Sequence, residues 1–105
     1  MKERILLALS TFPEVEAARK IVRQLVSEKL VACANIVSDV ESIYRWQNKI
    51  EESRETLVLF KTTGASYSAF QNRLEALHPY DVPEIVCLEI VNGLPAYLDW
   101  VAENN

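Results

Sequence analysis

Between Leu30 and Trp46 the chain alternates apolar, β-branched and polar residues with no glycine or proline to interrupt it, first as Leu30–Val37 and then through Val40, Ser42-Ile43-Tyr44 and Trp46. This reads as one long strand, kinked at Ser38-Asp39 and stopped at Gln47-Asn48-Lys49. Thirteen or so strand residues at about 3.3 Å each reach about 43 Å. A compact domain of 105 residues has a radius of gyration of about 13 Å and is only about 33 Å across. Ile50–Arg54 and Thr56–Phe60 resume the extended pattern. The two strands therefore form a hairpin whose Gln47 end overhangs its own core, carrying Ile43, Tyr44 and Trp46. An uncovered aromatic hairpin is an aggregation hazard, so an oligomer with hairpins crossing between subunits is expected. The alternative is a sharp kink that lets the hairpin cover itself.

The other elements fall around this hairpin. Ile5–Leu9 is a short apolar strand halted by Ser10-Thr11-Phe12-Pro13, with Thr11 or Phe12 expected as cap and Pro13 in the first helical turn. Val15, Ala18, Val22, Leu25 and Val26 recur at helical spacing over Glu14–Lys29, with acid at the start and base near the end. Lys61-Thr62-Thr63-Gly64 ends the third extended segment, and Tyr67, Phe70, Leu74 and Leu77 then mark a second helix stopping at His78-Pro79. Ile85–Val91 is expected as a last, central strand. Asn92-Gly93-Leu94-Pro95 opens a short closing helix with Leu94, Leu98 and Val101 on one face. The order β-α-β-β-α-β-α places the chain in the α+β class: a ferredoxin-like, split β-α-β sandwich with an extra C-terminal helix and a long hairpin, forming one domain over residues 1–105.

Composition narrows the function. Fifteen acidic against eleven basic residues give a net charge of -4, the wrong sign for neutralising nucleic-acid phosphates. The N-terminal Met1-Lys2-Glu3-Arg4 and the short apolar run behind it do not make a secretory signal, and no run approaches the roughly 20 residues of a membrane helix. No membrane and a cytoplasmic location are expected. Cys33 and Cys87 stand in apolar contexts without CxxC spacing and read as reduced core thiols. One histidine and no nucleophile–base spacing leave no support for an enzyme. Lys61-Thr62-Thr63-Gly64 lacks P-loop glycines and reads as a helix cap rather than a phosphate site.

Five ordered blocks carry a family resemblance: Leu30-Val31-Ala32-Cys33-Ala34-Asn35-Ile36, Ser42-Ile43-Tyr44-Arg45-Trp46, Lys61-Thr62-Thr63, His78-Pro79-Tyr80-Asp81-Val82-Pro83-Glu84-Ile85 and Tyr97-Leu98-Asp99-Trp100. Together they resemble the CutA family, the divalent-cation tolerance proteins, over essentially the whole chain. The resemblance implies a tight homotrimer, similar in design to the PII signalling proteins, with the hairpin wrapping a neighbour. It implies a role in tolerance of or response to copper and other divalent cations, with copper or another divalent cation as the ligand, and it leaves room for an unidentified protein partner. Tyr44, Trp46, Lys61, Tyr80 and Glu84 would then lie near the subunit interface, either as a ligand cleft or simply as interface anchors. His78 is the candidate metal ligand, although its imidazole serves a helix-ending turn equally well. Some metal-binding relatives look to carry a Cys at the position of Ser10 and a His at that of Leu77, so two ligands are replaced here. The alternative function is a PII-like signalling module that binds a small metabolite or nucleotide at the interface.

Overall fold

The first strand, β1 (Ile5–Phe12), runs three residues beyond the apolar stretch Ile5–Leu9. It does so because its ladder with β3 (Lys49–Thr63) continues to Phe12 opposite Thr56. The extra pairing displaces the helix start: α1 (Val15–Ser27) is capped by Glu14, not by Thr11 or Phe12, and Pro13 lies ahead of the first turn. The remaining elements are β2 (Cys33–Trp46), α2 (Tyr67–Leu77), β4 (Val86–Glu89) and α3 (Pro95–Glu103). The computed structural model describes residues 3–105; Met1 and Lys2, part of the stretch read above as lacking a secretory signal, lie outside the described residues.

The sheet is antiparallel throughout, in the order β2-β3-β1-β4. This is the split β-α-β arrangement expected from the element order. On β1, Leu6, Ala8, Ser10 and Phe12 are buried, and on β3 so are Thr56, Val58, Phe60 and Thr62, a period of two that turns these positions toward the helices. Phe12, Phe60, Leu25, Phe70 and Leu74 form the centre of the main core. A second, smaller core joins Ile5 and Ala32 to Val101 of α3.

Three expectations are corrected. Ile85–Val91 is not a central strand: β4 spans four residues at the sheet edge, paired with β1 alone, and all four are exposed in the single chain. Its apolar composition records a need for cover that the chain's own elements do not meet. Cys87, on that strand, is exposed and Cys33 is half-buried, so neither is a core thiol. The last turn of α1 carries no base. Glu28 stands at that C-terminus instead, and Arg73 of α2 holds it with hydrogen bonds of 2.9 and 3.0 Å, offsetting the unfavourable meeting of a carboxylate with the helix's negative pole.

The hairpin follows the reading closely. Its kink is a β-bulge between Val37 and Val40, where Asp39 takes a φ of 62°. Its two-residue turn is Gln47-Asn48, with φ of 51° and 65°, the double positive φ that matches the strand twist in tight hairpins. Beyond the rung Val40–Glu55 it has no third strand, since β1 ends at Phe12. The protomer is therefore elongated, 46 × 26 × 22 Å.

Candidate functional site

The proline at position 79 ends α2 and turns His78 into extended conformation, with φ of -70° and ψ of 138°. The imidazole folds back on the end of β1: it stacks on Phe12 at 4.5 Å between centroids and is 8% exposed. Nε2 lies 2.9 Å from the Thr11 carbonyl oxygen, and the Tyr80 backbone N–H donates to Nδ1 over 3.1 Å. A carbonyl can only accept and a backbone N–H can only donate, so the ring is neutral with its proton on Nε2. Both nitrogens are committed to backbone groups. The reading of His78 as a metal ligand finds no free lone pair in this fold, and the turn-holding reading accounts for the geometry.

Tyr80 continues the chain of contacts, its hydroxyl donating to Glu55 Oε2 over 2.6 Å. Burial pushes the Tyr80 phenol well above its ordinary value, and the Glu55 carboxylate and Tyr44 add to the effect. Tyr80 and Glu55 thus meet at the hairpin root, while Tyr44 lies further out on the arm, opposite Glu51. A shallow hollow of about 190 Å³ opens beside Glu55, lined by Pro13, Val15, Ser38, Asp39, Arg54, Glu55 and Thr56.

The other candidate residues lie elsewhere. Lys61 bonds the Asn35 side chain across the β2–β3 ladder. On Lys61's own rung, Cys33 Sγ is 3.5 Å from the Tyr97 hydroxyl, and that contact, with burial, pushes the Tyr97 phenol up to about 12. Trp46 stands at the hairpin tip, 61% exposed, opposite Lys49. Lys49 and Lys61 are twelve residues apart on β3, about 40 Å of extended chain, so Trp46 and Lys61 cannot line one cleft within a protomer. Glu84 is exposed on the α2–β4 connection. The cap of α2 is Ser66 rather than a residue of Lys61–Gly64, although the Thr63 hydroxyl accepts the Ser66 N–H over 3.2 Å just ahead of the helix. Among the described residues, no three His, Cys, Asp or Glu side chains converge as a metal centre.

Sequence reasoning did not pair Tyr80, Lys61 and Cys33 with their partners Glu55, Asn35 and Tyr97. Each contact spans at least 25 positions and depends on strand register or on the docking of α3, which leave no local signature.

The profile of the CutA1 divalent ion tolerance proteins matches residues 6–104. The chain belongs to this family. A divalent-cation tolerance protein CutA of Thermus thermophilus is 51% identical over 91% of this chain and 93% of its own length. Human protein CutA is 36% identical over 91% of this chain, which spans only 54% of that longer relative. CutA1 structures from Ehrlichia chaffeensis and Thermus thermophilus superpose with TM-scores of 0.93 and 0.92, at 34% and 49% identity, over 99% and 95% of this chain and 97% of each of theirs. The CutA1 fold is thus common to chains that share only a third to a half of their residues with this one. Among the described residues no helix is long and apolar enough to cross a membrane.

Proposed function

We propose that this CutA1 protein acts in divalent metal-ion tolerance as a cytoplasmic homotrimer, without catalysing a reaction, by binding copper or another divalent cation weakly or by sensing it. The observation that carries the reading is the 51% identity, over nearly the full length of both chains, to a relative named for divalent-cation tolerance. Assembly is supported by surface the chain leaves bare: Ile43, Trp46 and Ile50 on the arm are 62%, 61% and 72% exposed, and Val86 and Leu88 on the edge strand are exposed too. Monomers rarely leave this much apolar surface open. The number three rests on the family resemblance. Exposed carboxylates on the arm, Glu51 and Glu52, offer hard oxygen ligands for a loosely held cation. Copper titration followed spectroscopically, with equilibrium dialysis, tests direct binding: saturation at micromolar copper supports it, and no uptake below the millimolar range overturns that part.

The metabolite-binding alternative has one observation in its favour, the hollow beside Glu55 at the hairpin root. At about 190 Å³ it falls below the roughly 300 Å³ at which small-molecule sites begin, so a neighbouring copy would have to supply further walls. A broad metabolite thermal-shift screen with no stabilising compound removes this reading, since a ligand of the folded state must raise apparent stability.

A further inference from the structure

We propose that the hollow at the hairpin root binds the zwitterion of a small α-amino acid, with Arg54 taking its carboxylate and Asp39 and Glu55 its ammonium. This names a ligand class for the metabolite-binding reading and rests on it. The hollow forms where three segments meet. β1 overruns its apolar stretch to Phe12, and Pro13 and Val15 then supply an apolar wall where α1 begins. The bulge in β2 contributes Ser38 and Asp39, the latter with its φ of 62°, a conformation that an L side chain adopts only at a cost. Bulges re-aim side chains in this way beside binding sites. Arg54, Glu55 and Thr56 come from the facing stretch of β3.

The walls carry both signs of charge close together. Arg54 Nη1 and Asp39 Oδ1 are 3.6 Å apart, beyond the roughly 2.7–3.2 Å of an N–H···O hydrogen bond. The two groups attract each other without spending their hydrogen bonds on one another, and both side chains are more than half exposed. Glu55 commits Oε2 to the Tyr80 hydroxyl, and a carboxylate has a second oxygen with which to accept. One guanidinium and two carboxylates together repel a plain anion, and they set a plain cation against Arg54. A ligand bearing both charges satisfies both sides: its carboxylate pairs with the guanidinium fork, and its ammonium donates to Asp39 and Glu55. The short Arg54–Asp39 separation requires those charges on neighbouring groups of the ligand, as in an α-amino acid and unlike a longer ω-amino acid. Size agrees. At about 30 Å³ per water, a hollow of about 190 Å³ equals about six waters, room for glycine or alanine but not for a large side chain.

The test titrates glycine and alanine into the nitrogen-15-labelled full chain in its native assembly and follows the amide signals. Saturable shifts confined to Ser38–Val40 and Arg54–Thr56 are expected, with half-saturation at about 0.1–1 mM for a ligand of so few atoms. No saturation by about 10 mM overturns the proposal. Acetate and methylammonium each carry one of the two charges and are expected to bind at least about tenfold more weakly than glycine; equal binding by either reduces the hollow to a site for that ion and ends the proposal. Arg54→Gln and Asp39→Asn, the latter keeping a residue that tolerates the left-handed φ, are each expected to weaken glycine about tenfold with the core amides unmoved. Unaltered affinity in both overturns the assignment. A larger metabolite that shifts the same signals where glycine and alanine do not defeats this ligand class and leaves the metabolite-binding reading standing, whereas a broad screen in which nothing binds removes both.

Discussion

Ser10 lies between Ala8 and Phe12 on the helix-facing side of β1, fully buried, and among the described residues its hydroxyl has no hydrogen-bond partner. A buried unsatisfied polar group costs about 1–3 kcal/mol. Ser10→Ala removes the group with little change of volume and is expected to raise stability by about 1 kcal/mol, measurable as a higher midpoint in denaturant. Lys29 offers a second gain. It follows the cap of α1 with a φ of 61°, while its own N–H and that of Leu30 close the helix onto Val26 and Leu25. This left-handed position suits glycine, since a Cβ there is strained. Lys29→Gly is expected to stabilise by about 0.5–1 kcal/mol, read from thermal unfolding. Neither feature is visible locally: nothing in Leu9-Ser10-Thr11 tells a strand serine that faces a core from one that faces water. His78 was legible as the end of a helix, because Pro79 follows it. Its two backbone partners were not, since Thr11 lies 67 positions away.

At the scale of elements, periodicity located all seven, and the misplacements share a cause. β1 grew to Phe12 because β3 was there to pair with it, and β4 shrank to four residues because β1 meets it only from Leu6 to Leu9. Where a ladder ends depends on how far the facing segments run alongside each other, which a strand's own residues do not encode. The hairpin was read best because its signals are local: alternation along each strand, a polar turn, and a kink at Ser38-Asp39 that became the bulge. Its turn leaves room for improvement. Asn48 holds a φ of 65° at the second turn position, where glycine is the preferred residue. Asn48→Gly is expected to stabilise the arm by a few tenths of a kcal/mol, seen as slower exchange of the Tyr44–Glu51 rungs with no change in the core.

For the whole molecule the deciding fact is shape. A two-stranded ribbon beyond Val40–Glu55 is marginal by itself, yet this one carries Ile43, Tyr44, Trp46 and Ile50, with neighbours along each strand on opposite faces. Apolar residues on both faces call for a surface on each side, which suits an arm clasped by other copies better than one laid on its own sheet. Trp46→Ala therefore tests assembly rather than folding. Loss of an interface anchor costs about 2 kcal/mol or more, so native mass spectrometry is expected to show three times the 12.0 kDa subunit mass for the parent and dissociation on dilution for the variant, with circular dichroism unchanged. An intact trimer with lost ligand response would instead make Trp46 a cleft residue. The sequence by itself determined the elements, their order, the sheet they build and the excess length of the arm, because apolar period and turn chemistry act over a few residues. Only the tertiary structure decided that Tyr80 belongs to Glu55, that Lys61 is about 40 Å of strand away from Trp46, and that His78 has no nitrogen to spare. Those outcomes follow from register and docking between segments distant in the chain, where no single stretch of sequence holds both partners.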